Sequence, residues 1–128
     1  MEFSNLVDLI QVFANEYCKP SFIILVYVEK QSLLFNEDTL RNLFRFITSE
    51  LIIISNSPSE YVDITVGDIL PFESHSFDLI ISFQGITEEL KRVLKPNGKL
   101  LINELVIDAL ETYKIARSEA NFVYFSVL

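Results

Sequence analysis

Glycine is scarce in this chain: three residues, at positions 67, 85 and 98, and none among the first 66. A glycine-rich loop lets a backbone approach a nucleotide or phosphate where any Cβ would collide, so the first half holds no such loop. Cysteine is scarcer still. Cys18 stands alone, which excludes an intrachain disulfide, an iron–sulfur cluster on four thiolates and a cysteine-built structural zinc site. Basic residues are few, 10 Lys and Arg against 18 Asp and Glu for a formal charge of −8, and the densest basic group is Lys91-Arg92 with Lys95. Phosphate contacts need clustered Lys and Arg, so nucleic acid is not an expected partner. No run reaches the roughly 18 uninterrupted apolar residues of a membrane span. The start, Met1-Glu2-Phe3-Ser4, carries neither the basic nor the apolar region of a secretory signal. A cytoplasmic location without membrane association is the expectation.

What is present is core material. Half of the 128 residues are hydrophobic, 22% are charged, and eleven Phe and five Tyr supply bulk. That length fits one domain of the usual roughly 100–150 residues. Leu6, Leu9, Ile10, Phe13 and Tyr17 recur at spacings of three and four, one apolar helix face between Ser4 and Tyr17. Phe22–Val28 is a near-continuous, β-branched apolar run, as in a strand covered on both faces of a parallel sheet. A second helix is expected with Leu40, Leu43, Phe44 and Ile47 inward, then strands at Leu51–Ser55, Tyr61–Val66 and Ser76–Ser82. Ile86–Leu94 reads as a helix stopped by Lys95-Pro96-Asn97-Gly98, with Gly98 suited to a positive φ. Lys99–Val106 reads as a strand, Asp108–Ala120 as a helix and Phe122–Val127 as a final strand. Strands alternating with helices imply a three-layer α/β/α domain with a mostly parallel, Rossmann-like sheet. The apolar end at Leu128 suggests that this single domain, residues 1–128, is the N-terminal part of a longer protein.

The stretches Gly67-Asp68-Ile69-Leu70-Pro71-Phe72, Ser76-Phe77-Asp78-Leu79-Ile80-Ile81-Ser82 and Leu90-Lys91-Arg92-Val93-Leu94-Lys95-Pro96-Asn97-Gly98-Lys99-Leu100-Leu101-Ile102 resemble the back half of class I methyltransferases that use S-adenosylmethionine. Asn97 departs from the usual Gly-Gly. The front half departs further. Where active members place an acidic residue and several glycines after the first strand, this chain continues Glu29-Lys30-Gln31-Ser32-Leu33-Leu34-Phe35. The cofactor site reads as lost, with Glu29 and Asp68 as vestigial cofactor-binding candidates and no catalytic or metal-binding residue.

A methyltransferase-like fold without its glycine loop is similar to the N-terminal domain of the anamorsin family, the cytosolic iron–sulfur assembly proteins. That resemblance covers Phe22 to Phe122. It implies a non-enzymatic, protein-interacting domain that docks an electron-donating diflavin reductase. It also implies no cofactor in this chain, the clusters belonging to a separate C-terminal region. The alternative is a divergent S-adenosylmethionine-dependent methyltransferase, or a non-catalytic methyltransferase subunit.

Other conspicuous residues have plain readings. His75, between two serines, reads as an exposed loop residue without an orienting partner. Cys18 reads as a small buried hydrophobe. Glu88-Glu89 before Lys91-Arg92 reads as a solvated helix face with i,i+3 and i,i+4 pairs. Asp78, inside an apolar strand, is expected to be structural. Phe122, Tyr124 and Phe125 are either core or, failing that, a sticky surface.

Overall fold

A computed structural model describes residues 2–3, 6–17, 19, 21–28, 50–58, 62–83, 85–103, 113–119 and 122–127. In chain order the elements are β1 (Glu2–Phe3), α1 (Leu6–Tyr17), β2 (Ile23–Tyr27), β3 (Glu50–Ser55), β4 (Ile64–Thr65), β5 (Phe77–Ser82), α2 (Glu88–Val93), β6 (Leu94–Asn103), β7 (Tyr113–Glu119) and β8 (Phe122–Val127). The strands form one sheet in the order β1-β7-β8-β6-β5-β2-β3-β4. From β4 across to β8 every neighbouring pair is parallel. Numbered by chain order, those six strands read 3-2-1-4-5-6, the order of doubly wound dinucleotide-binding folds. The architecture is therefore α/β and Rossmann-like.

The near-continuous apolar strands follow from burial on both faces. Leu25, Tyr27, Ile54, Ile80, Leu100, Ile102 and Tyr124 share one cluster with Leu90 and Val93 of α2. Their neighbours Ile24, Val26, Ile53, Leu79, Ile81, Leu101 and Val123 alternate to the other face and are also buried. Ile10 and Phe13, on the expected inward face of α1, are buried as well. The helix expected around Leu40, Leu43, Phe44 and Ile47 lies outside the described residues.

Helix α2 is short and tied at both ends. The Thr87 side chain caps it by accepting from the Leu90 N–H at 3.1 Å. Acids occupy its first turn and Lys91 and Arg92 its last, the arrangement that the helix dipole favours. At the far end, the carbonyls of Arg92 and Val93 accept from the N–H groups of His75 and Ser76 at 3.0 and 2.8 Å. Those two loop amides satisfy acceptors that a helix end leaves without intrahelical partners.

Two expectations need correction. Residues 113–119 of the anticipated Asp108–Ala120 helix form strand β7, antiparallel to β8 from Tyr113↔Val127 to Glu119↔Phe122. Only residues 120 and 121 separate these strands, a spacing too short for anything but an antiparallel pair. Nine positions, 104–112, separate β6 from β7. A parallel crossover needs a dozen or more residues, whereas an antiparallel return fits a shorter link. Pairing with β8 outweighs the helix preference of Lys, Ala, Arg and Glu in this segment.

The second correction concerns Gly98. Among the described residues positive φ occurs at Gly85 (82°) and His75 (60°), not at Gly98 or Asn97. The sheet register shows what replaces a helix-stopping turn: Phe77 pairs with Leu94 and Leu79 with Lys99. Residues 95–98 thus bulge out of the ladder and rejoin it. At Gly98 a Cβ would lie 2.6 Å from Leu94 Cδ1 and 2.9 Å from the Asp78 carbonyl oxygen. Glycine is needed there for close approach, not for backbone handedness.

Candidate functional site at the carboxyl edge of the sheet

In doubly wound sheets, ligands sit outside the carboxyl ends of the strands, where strand order reverses. Here that point lies between β2 and β5, which pair in register as far as Tyr27↔Ser82. Pairing persists beyond the strands themselves. The Phe83 N–H donates to the Tyr27 carbonyl at 2.9 Å, and the Val28 N–H donates to the Ile54 carbonyl at 2.9 Å. Both aromatic side chains are buried, Tyr27 at 9% and Phe83 at 3% exposure. The buried Ser82 hydroxyl donates to the Gly85 carbonyl, drawing the chain after β5 back over its own end. Gly85 makes that reversal at φ 82°, a conformation that glycine adopts without steric penalty. The described ends of β2 and β5 are thus bonded together, with the Tyr27 and Phe83 side chains buried.

The loop after β4 adjoins this edge. The Val66 N–H donates to the Ser55 carbonyl at 2.8 Å, so the chain enters the loop still tied to β3. Asp68 is exposed and near enough to Tyr27 to influence it. The Tyr27 phenol is pushed above its ordinary pKa, mainly by burial and additionally by the Asp68 carboxylate. Burial disfavours the phenolate, and a neighbouring anion disfavours it further.

Beyond Asp68 the loop runs along α2. Leu70 is gripped by side chains at both its backbone groups. Its N–H donates to Glu89 Oε1 at 2.8 Å, and its carbonyl accepts from Arg92 Nη2 at 3.1 Å. Arg92 also donates to Glu89 through Nε at 2.7 Å and Nη2 at 3.0 Å. The Glu89 carboxyl is consequently held below its usual pKa, first by the Arg92 hydrogen bond and then by the Leu70 amide. Phe72 completes the anchorage, its ring meeting Phe77 edge-on with centroids 4.9 Å apart.

Sequence-predicted residues fall on both sides of this site. Asp68 lies at the carboxyl edge; Glu29, Leu33, Leu34 and Cys18 lie outside the described residues. Asp78 sits at the opposite end of the sheet. Its carboxylate accepts from the Ile23 N–H at 2.9 Å and from Lys95 Nζ at 3.0 Å, joining the starts of β2, β5 and β6. His75 is exposed. Glu88 pairs with Lys91 at 3.2 Å and Glu89 with Arg92 at 2.7 Å, both i,i+3. Tyr124 belongs to the core and half-buried Phe122 packs against it, with Lys91 Nζ 6.0 Å from the Phe122 ring centre; the Phe125 side chain lies outside the described set. Among the described residues no three of His, Cys, Asp and Glu gather into a metal-binding group, and no helix is long and apolar enough to cross a membrane. The sequence reading missed Tyr27 and the grip on Leu70. An aromatic residue ending a buried strand was the one available sign of the former.

No family model and no curated protein matches the sequence. Among solved structures, the chain is similar to the YcgJ protein from Bacillus subtilis, with a TM-score of 0.55 and 20% identity. The match covers 77% of this chain and 51% of that one, so the chain corresponds to about half the length of that neighbour. At this identity the likeness establishes the fold alone.

Proposed function

We propose that this chain is a non-enzymatic protein-interaction domain of the anamorsin type, serving cytoplasmic iron–sulfur assembly by docking an electron-donating diflavin reductase. The observation that carries this reading is the condition of the switch point. At the ends of β2 and β5, the place where a doubly wound sheet would take a nucleoside cofactor, the Phe83 N–H stays bonded to the Tyr27 carbonyl and both aromatic side chains are buried. The first glycine after β2 comes only at position 67, so no residue between them offers the bare backbone of a glycine loop. A retained α/β frame without a glycine loop suits a scaffold that presents its surface. On this reading the chain holds no cofactor, and clusters reside in a separate C-terminal region.

Two titrations test the proposal. Calorimetry with S-adenosylmethionine should give no saturable heat, and surface-based binding to a purified diflavin reductase should give a saturable response. Micromolar binding of the nucleoside would instead favour a divergent methyltransferase or a non-catalytic methyltransferase subunit. One observation favours that second reading: Asp68 is an exposed carboxylate at the carboxyl edge, where the matching acid of active methyltransferases meets the adenine.

A further inference from the structure

We infer that the loop over residues 67–72 is the docking finger of this domain, with Ile69 as its anchor, and that its partner offers an apolar socket rimmed by Lys and Arg. The inference rests on the docking function proposed above and assigns it a surface. Ile69 is 78% exposed, against 37% for Val12, the other exposed large hydrophobic among the described residues. A single exposed apolar side chain is ordinary in itself. The way this one is held is not.

Its neighbour Leu70 is buried at 3% and is gripped at its N–H by Glu89 and at its carbonyl by Arg92. Pro71 follows, with φ fixed by its ring, and Phe72 is pinned edge-on to Phe77. Anchored at residues 70 and 72, the loop presents Ile69 to solvent in a fixed setting. Isoleucine is itself stiff at χ1. Little conformational freedom remains to be lost on docking, the condition under which a small contact contributes most to affinity.

Charge narrows the occupant. Residues 67–76 contain Asp68 and Glu73 and no Lys or Arg, on a chain of net charge −8; Arg92, which reaches Leu70 and Ser74, is neutralised by its pair with Glu89. The same loop of a second copy, in a two-fold contact, would set these acids against each other, and an anionic lipid surface would repel them. A basic rim around an apolar socket is complementary to both features.

The test compares binding of a purified diflavin reductase to the wild-type chain, Ile69→Ala, Ile69→Asp and, as a remote control, Val12→Asp. Both Ile69 variants should keep the wild-type denaturation midpoint, since the side chain is exposed. They should lose about 10- to 100-fold in affinity, as anchor residues do, and wild-type binding should weaken as salt rises. Val12→Asp should bind as the wild type does. Wild-type binding that Ile69→Asp leaves intact, or that Val12→Asp weakens equally, overturns the assigned surface while the docking function stands. A wild-type chain that does not bind the reductase overturns the function and the surface with it.

Discussion

Replacing Gly98 by alanine places one methyl group where β6 rejoins β5, and the structure gives the size of the collision. The new carbon would stand 2.6 Å from Leu94 Cδ1, 3.0 Å from Leu94 Cγ and 2.9 Å from the Asp78 carbonyl oxygen. Carbon pairs are most favourable at about 3.5–4.0 Å. The Leu94 side chain is buried and has little room to retreat, while the Asp78 oxygen belongs to the backbone of β5. Overpacking of this kind costs about 1–3 kcal/mol. Opposing it, alanine restricts the unfolded chain and gains about 0.4–1 kcal/mol wherever φ suits it, as it does here. The net expectation is a loss of about 1–2 kcal/mol. With a urea m-value of about 1–3 kcal/mol/M for a small protein, the unfolding midpoint should fall by roughly 0.3–2 M. Gly67→Ala is the matched control, since no atom lies within 4 Å of its added carbon and φ is not positive; its midpoint should stay level or rise. A Gly98→Ala protein as stable as the wild type would refute the close-approach argument.

Three further outcomes follow from the hydrogen bonds described. Asp78→Ala should destabilise by about 1–3 kcal/mol, because the Ile23 N–H loses its acceptor. Asp78→Asn keeps that oxygen and weakens only the partly exposed Lys95 contact, so it should lose under about 1 kcal/mol in the same urea series. Because the Glu89 carboxyl is held low when folded, the grip on Leu70 is fully present above the ordinary Glu value of about 4.3. It is lost as pH falls through the lower folded value. Amide exchange at Leu70 should therefore rise on acidification, and Glu89→Gln should abolish that pH response. Tyr27 behaves in the opposite sense: its raised phenol pKa contributes stability present below about pH 10 and lost as pH climbs through the folded value. Asp68→Asn should lower that pKa without restoring the ordinary value, because burial remains, as a carbon-13 tyrosine titration would show.

The sequence was most legible where one residue run decided the outcome. Phe22–Val28 and Leu51–Ser55 are apolar on both faces, and they appear as β2 and β3 because only a doubly covered strand buries both. The helix face of Ile10 and Phe13 was equally plain. The Lys95–Gly98 bulge was not, because the need for glycine arises from Leu94 and Asp78, the latter twenty positions away. Strand β7 was misread because Lys, Ala, Arg and Glu favour a helix locally, and only the β8 partner settles the matter. At the candidate site, Asp68 stood out by pattern alone. Arg92 read as a surface ion-pair partner of Glu89, and it is one, yet its bond to Leu70 spans 22 residues and left no periodic trace.

An amide-resolved magnetic resonance titration with S-adenosylmethionine tests most directly the proposal that this sheet edge takes no nucleoside cofactor. The resonances of Tyr27, Val28, Asp68, Phe83 and Gly85 should stay in place to millimolar ligand. Saturable shifts clustered on those five residues would contradict the proposal.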